Sequence, residues 1–166
     1  MREVLSRFAT GVTVITAMID GRPHGMTANA FMSGSLDPAL VLISVARGAR
    51  THAAIESEGA FGVSILGAKQ AATAACFAGR DVPFDGAFEF QDSVPIVAGS
   101  LGWLVARLSD SHQVGDHTVF VGEVQDLGIT GEGANSPLAY YAGAFCSVSR
   151  PDPAPVLHGW YAELWG

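Results

Sequence analysis

The chain has 166 residues, of which 15% are charged and 49% hydrophobic, with a formal net charge of -7. That length fits one domain, and the acidic balance excludes a nucleic-acid binder that relies on lysine and arginine to displace phosphate counterions. So little charge is too sparse to coat the whole surface, so part of it is read as buried between subunits.

In chain order, "REVLSRFA" puts Val4, Leu5 and Phe8 on one helical face before the β-branched alternation of "GVTVITAM" begins. A short helix therefore leads into a strand. Arg2 and Arg7 ahead of an apolar run imitate a signal peptide, but Glu3 breaks the charge pattern and Thr10, Thr13 and Thr16 interrupt the run. Asp20-Gly21 is a strong hairpin signal, so "HGMTANAF" returns antiparallel to the first strand. Pro38 marks a turn, and "ALVLISVA" at 39–46 reads as a central strand buried on both faces. It is the longest apolar run and far shorter than the roughly 18 residues of a spanning helix, so no membrane contact is expected.

Thr51 and Gly59 bracket "HAAIESE" as the N-cap and C′ glycine of a helix. "AFGVSIL" is the next strand, and the Ala-rich "AKQAATAACFAG" is a helix ending at Gly79. The stretch 80–100 has no sustained period and reads as a long surface loop with aromatic anchors. "LGWLVARLS", "HTVFVGEVQDLGI" and "LAYYAGAFCSV" are the last strands, with turns at Gly115-Asp116 and "GEGANSP". Six or seven mostly antiparallel strands with two or three short helices point to a mainly β, Greek-key barrel over residues 1–149. The Pro-rich extension 150–166, with Trp160, Tyr161 and Trp165 near its end, leaves the barrel and packs elsewhere, on a neighbour.

Several chemistries lack their residues. "GVSILGAKQ" misses a phosphate loop, because Ala68 precedes Lys69 and Gln70 stands where a magnesium-binding hydroxyl belongs. No G-x-G-x-x-G joins a strand to a helix, so a nicotinamide is not held on a Rossmann turn. A nucleophile elbow is also missing. His112 and His117 flank Asp116 without a third or fourth metal ligand, and no metal is expected. Cys76 and Cys146 lack metal-ligand spacing and are read as buried, reduced thiols of a cytoplasmic protein.

"FATGVTVIT", "HGMTANAF", "SLDPALVLISV", "GAFGVSIL", "FAGR", "GDHTVFVGEV" and "PLAYY" follow one another in an order and spacing that resembles the flavin reductase family with an FMN-binding split barrel. The likeness, over about residues 4–148, is to the small reductase components of two-component flavin monooxygenases. It implies an antiparallel split barrel, a homodimer and hydride transfer from NADH or NADPH to FMN or FAD. It also implies a separate monooxygenase that receives the reduced flavin. By the same resemblance, Thr27, Ala28 and Asn29 meet the flavin ring edge and ribityl chain, with Ser33 and Ser35 framing the ring. Ser44, Arg47, Arg50 and Thr51 lie on the phosphate side, where a helix N-terminus and a cation suit a dianion. His117 falls beside the nicotinamide, where it is the candidate catalytic residue.

Two departures stand out. The paired prolines usual after "SLD" are here Pro38-Ala39, and the edge where relatives often carry "RGR" reads "AGAF" from Ala142, which removes an expected arginine. Two other readings stay open: an oxidoreductase that retains its flavin and acts on its own small organic substrate, and a flavin-binding protein without turnover.

Overall fold

The computed structural model describes residues 1–130 and 136–149. Most of the turn expected after residue 130 and the whole extension 150–166, with its expected packing on a neighbour, lie outside the described residues. The elements run α1 (Arg2–Leu5), β1 (Thr10–Gly11), β2 (Thr13–Ile19), β3 (Arg22–Ala28), β4 (Phe31–Leu36), β5 (Ala39–Ala46), α2 (Arg50–Glu58) and β6 (Ala60–Ile65). They continue with α3 (Ala71–Phe77), β7 (Phe88–Gln91), β8 (Val94–Val97), β9 (Gly102–Val114), β10 (His117–Ile129), β11 (Leu138–Tyr141) and β12 (Ala144–Ser147).

Seven strands form one antiparallel sheet in the order β3-β2-β6-β9-β10-β5-β4. Its two edge strands, β3 and β4, are joined only by Asn29 and Ala30. A link that short spans about 11 Å at full stretch, so the sheet must curl until its edges meet. The Ser44 N–H donates to the Ala30 carbonyl at 3.1 Å, which carries the β4–β5 ladder up to this seam between β3 and β4. Inside the barrel pack Ile15, Val41, Ile43, Val45, Phe61, Val63 and Phe120, and α2 plugs them with Ala54 and Ile55. A second cluster, including Val12, Val14, Leu66, Ala74 and Leu138, binds α3 and the small sheet β1-β11-β12 to the barrel exterior.

The β2–β3 hairpin forms at Asp20-Gly21 as expected, and both residues take left-handed φ values of 50° and 72°. Other expectations need correction. β5 is central in pairing but not buried on both faces: Val41, Ile43 and Val45 are buried, whereas Leu40, Leu42, Ser44 and Ala46 are half-buried. A closed barrel has one interior, and alternate residues must face out of it. α2 starts at Arg50 with Ala49 as its N-cap and no side-chain cap, so Thr51 is not the cap but a first-turn residue. Gly59 does close the helix, at φ 66°.

The expected long loop 80–100 contains the hairpin β7–β8, turned through Asp92 and Ser93 at φ 46° and 70°. It is seated on the barrel by the Val97 N–H, which donates to Ser64 Oγ at 2.9 Å, and by Thr16 Oγ1, which donates to the Pro95 carbonyl. α1 is shorter than expected, and its apolar face is open, with Val4 and Phe8 about three-quarters exposed. Cys76 and Cys146 are free thiols, but neither is buried: Cys76 is half-buried and Cys146 exposed. Among the described residues no helix is long and apolar enough to cross a membrane.

Candidate functional site

The barrel seam places β3's last residues beside the small sheet and the end of α3. There a cleft of about 520 Å³ opens, within the size range of small-molecule sites, lined by Thr27, Ala28, Asn29, Arg80, Tyr140 and Phe145. Ala75, Ala78, Gly143 and Ala144 complete much of its wall, so the backbone can approach a flat ligand closely. Thr27 Oγ1 donates to the Ala74 carbonyl at 2.7 Å and ties β3 to α3. Asn29 is exposed and also lines a neighbouring cleft of about 390 Å³ with Phe8, Thr10 and Phe31.

Among the described residues Arg80 is the one charged residue lining the larger cleft. Its place follows from how α3 ends: Gly79 turns left-handed at φ 76°, its N–H bonds the Cys76 carbonyl, and the Arg80 N–H reaches back to the Ala75 carbonyl at 3.0 Å. This paired helix stop orients the residue after the glycine. Among the described residues Arg80 has no ion-pair partner. Sequence reasoning passed over it, although "FAGR" held both the glycine stop and the cation.

The other expected residues divide into groups. Directly opposed residues of neighbouring strands share a sheet face. Ser44 opposes Val119 and Ala46 opposes His117, so Ser44 and His117 lie two positions apart on the barrel's outer face. A register shift between Ser33 and Ser35 separates these two: Ser33 opposes buried Val41 and Ser35 opposes Leu40. Ser35 Oγ accepts a 3.2 Å bond from the Asp37 N–H. The Arg47 N–H donates to the Asp116 carbonyl, which holds the start of the β5–α2 link against the β9–β10 turn.

His117 Nδ1 lies 2.8 Å from Asp116 Oδ1. The bond from His117 holds the Asp116 carboxyl below its ordinary value, helped by Asp116's own backbone amide and by the charges of His117 and Arg47. His112 pairs instead with Asp110 at 3.4 Å, and no cluster among the described residues is fit to hold a metal.

Arg50 and Thr51 do not meet at one open surface. Thr51 is only 1% exposed, whereas Arg50 lines a shallow hollow with Asp20 and Glu58 and acts on His24. The expected phosphate pair is therefore split within a single chain, because α2 turns Thr51 toward the core together with His52, Ala54 and Ile55.

A small-walled cleft with one cation, an amide and a hydroxyl among its described lining residues fits an aromatic anion. Comparison with known proteins agrees: residues 5–149 match the model of the flavin reductase like domain. The chain belongs to this flavin reductase family. It is 40% identical over 152 residues to an NADH-dependent flavin reductase of a Rhodococcus species, covering 89% of this chain and 85% of the relative. It is 41% identical over 150 residues to the reductase component of 4-hydroxyphenylacetate 3-monooxygenase from Thermus thermophilus, covering 90% and 96%. The solved NADH:FAD oxidoreductase of Streptomyces globisporus, in complex with NAD and FAD fragments, superposes with a TM-score of 0.82 at 35% identity, covering 91% of this chain and 92% of that one. The flavin reductase assignment thus spans nearly all the described residues, including both the cleft and His117.

Proposed function

We propose that the chain is an NADH-dependent flavin reductase that passes a hydride to FMN or FAD and releases the reduced flavin to a separate monooxygenase. The observation that carries this reading is the seam cleft, which Thr27, Ala28 and Asn29 line together with Arg80 and, among the described residues, no carboxylate. Relatives named as NADH-dependent flavin reductases and monooxygenase reductase components support it.

In this reading the isoalloxazine edge meets Thr27, Ala28 and Asn29, and Ser33 and Ser35 steady the turn and sheet edge nearby. Ser44 and Arg47, at the entry to α2, face the anionic tail; Arg50 and Thr51 contribute through the helix N-terminus they help to form. Arg80 adds the one cation that the described residues bring to the cleft of this acidic chain. When bound, the flavin supplies the hydride acceptor. The protein's task is positioning, since hydride transfer asks for close, dry stacking rather than a strong acid or base. His117, its Nδ1 engaged by Asp116, keeps Nε2 for the carboxamide of the pyridine nucleotide.

A homodimer is part of the proposal, supported by the apolar residues left on the barrel's outer face, and so is a cytoplasmic setting, supported by two free thiols. The test is NADH oxidation by purified protein with and without added FMN or FAD. Turnover that requires added flavin is expected, and no consumption with either flavin overturns the reading.

A further inference from the structure

His52 is a buried titratable residue that the proposed chemistry does not use. It is 8% exposed and lies in the first turn of α2. Its Nε2 is 2.8 Å from Thr118 Oγ1, and its Nδ1 is 3.4 Å from Glu56 Oε2 one turn along the helix. Its ring also packs on Phe120 with centroids 5.0 Å apart. Thr118 is itself 3% exposed and directly follows His117.

Because side chains alternate along a strand, Thr118 and Phe120 point into the barrel, whereas His117 and Val119 point out. The inner face of β10's first residues is therefore clamped to α2, and the outer face presents His117. A strand held on one side by a buried hydrogen bond and a ring contact has little freedom to rock, so the depth of the histidine on the other side is set from beneath.

We propose that His52 is a positioning residue, which acts through Thr118 to fix β10 and so places His117 against the pyridine nucleotide. The inference rests on the reading that His117 meets that nucleotide. His52 touches neither flavin nor nicotinamide in this account. It links the helix on the phosphate side to the strand on the nicotinamide side, so the two halves of the site share one support.

Two substitution pairs test it. Thr118→Val removes the hydroxyl with little change of shape, and Thr118→Ser keeps it. The expected result is a KM for NADH roughly fivefold higher in T118V, the size of one lost buried hydrogen bond, with T118S close to wild type and flavin affinity unchanged. His52→Leu should raise the KM similarly. The double variant H52L/T118V, which leaves no buried polar group without a partner, should recover its unfolding midpoint but not its KM.

A double variant with wild-type KM overturns the proposal and reduces His52 to a packing residue. His117→Ala separates the two claims: an unchanged KM for NADH in H117A sinks the nicotinamide reading itself. A raised KM in H117A with a normal one in T118V sinks only the positioning role.

Discussion

Arg80 shows how one residue decides what a cleft accepts. Among the described residues the wall around it is otherwise uncharged, so its guanidinium meets no competing carboxylate there, and the glycine stop of α3 sets where its backbone enters the cleft. On the proposed reading, replacing it with alanine removes a charge-assisted contact to the flavin. Arg80→Ala should weaken FMN binding about tenfold, read as the shift in a fluorescence-quenching titration, with no change in unfolding midpoint. His24 gives a second prediction at this scale. Burial, and then the charge of Arg50, lower its pKa from the ordinary 6.5. The fold thus favours the neutral ring: its contribution to stability is complete above the unfolded value and is lost as pH falls through the lower folded one. Urea unfolding at about pH 8 and about pH 5 should show a smaller loss in His24→Gln than in wild type; equal losses refute the assignment.

Among the elements, the β7–β8 hairpin depends on a single bare position in β6. A Cβ built on Gly62 collides with the Pro95 carbonyl and the Thr16 hydroxyl, the groups that seat the hairpin on the barrel. Gly62→Ala should destabilise the fold by about 1–3 kcal/mol, whereas Gly48→Ala, with open space around its Cβ, should fall within about 0.5 kcal/mol of wild type. Chemical unfolding of the two variants checks this. The same hairpin marks a limit of what the sequence discloses. β2–β3 was legible because Gly21 advertises its turn, but Asp92-Ser93 carries no glycine, and Pro95 argues against a strand. Thr51 misled for a related reason: it looks like a cap, yet the apolar positions Ala54 and Ile55 choose which side of α2 faces the core, and Thr51 lies on that side. The tip of β9 was hidden because Ser109 to Val114 are exposed, so no burial pattern marks them. Of the candidate site, Thr27 to Asn29, which line the cleft, were singled out through the resemblance. Arg80 becomes a lining residue of the cleft only when α3 and the small sheet come together.

At the scale of the whole molecule, the outer face of the barrel lacks a polar finish. Met32 opposes Leu42, and Leu42 opposes Val121, which makes an apolar row across β4, β5 and β10. Met32 is 60% exposed and Leu36 65%. The charge-poor composition leaves little to cover such a surface, and a second copy of the chain would bury it. Ser44 and His117 lie on this same face, so in the proposed homodimer the partner walls the flavin site as well as hiding the row. Binding and assembly are then coupled: an open site in a lone chain lets water compete for every polar contact, while a walled one does not. Met32→Glu places a charge inside the contact, and burying an unpaired carboxylate costs enough to shift a dimer toward monomer. Gel filtration should show the mass halved, with flavin affinity falling about tenfold or more in the same variant. A monomer that binds FMN as tightly as wild type would show that each chain completes its own site, and the shared wall would have to be abandoned.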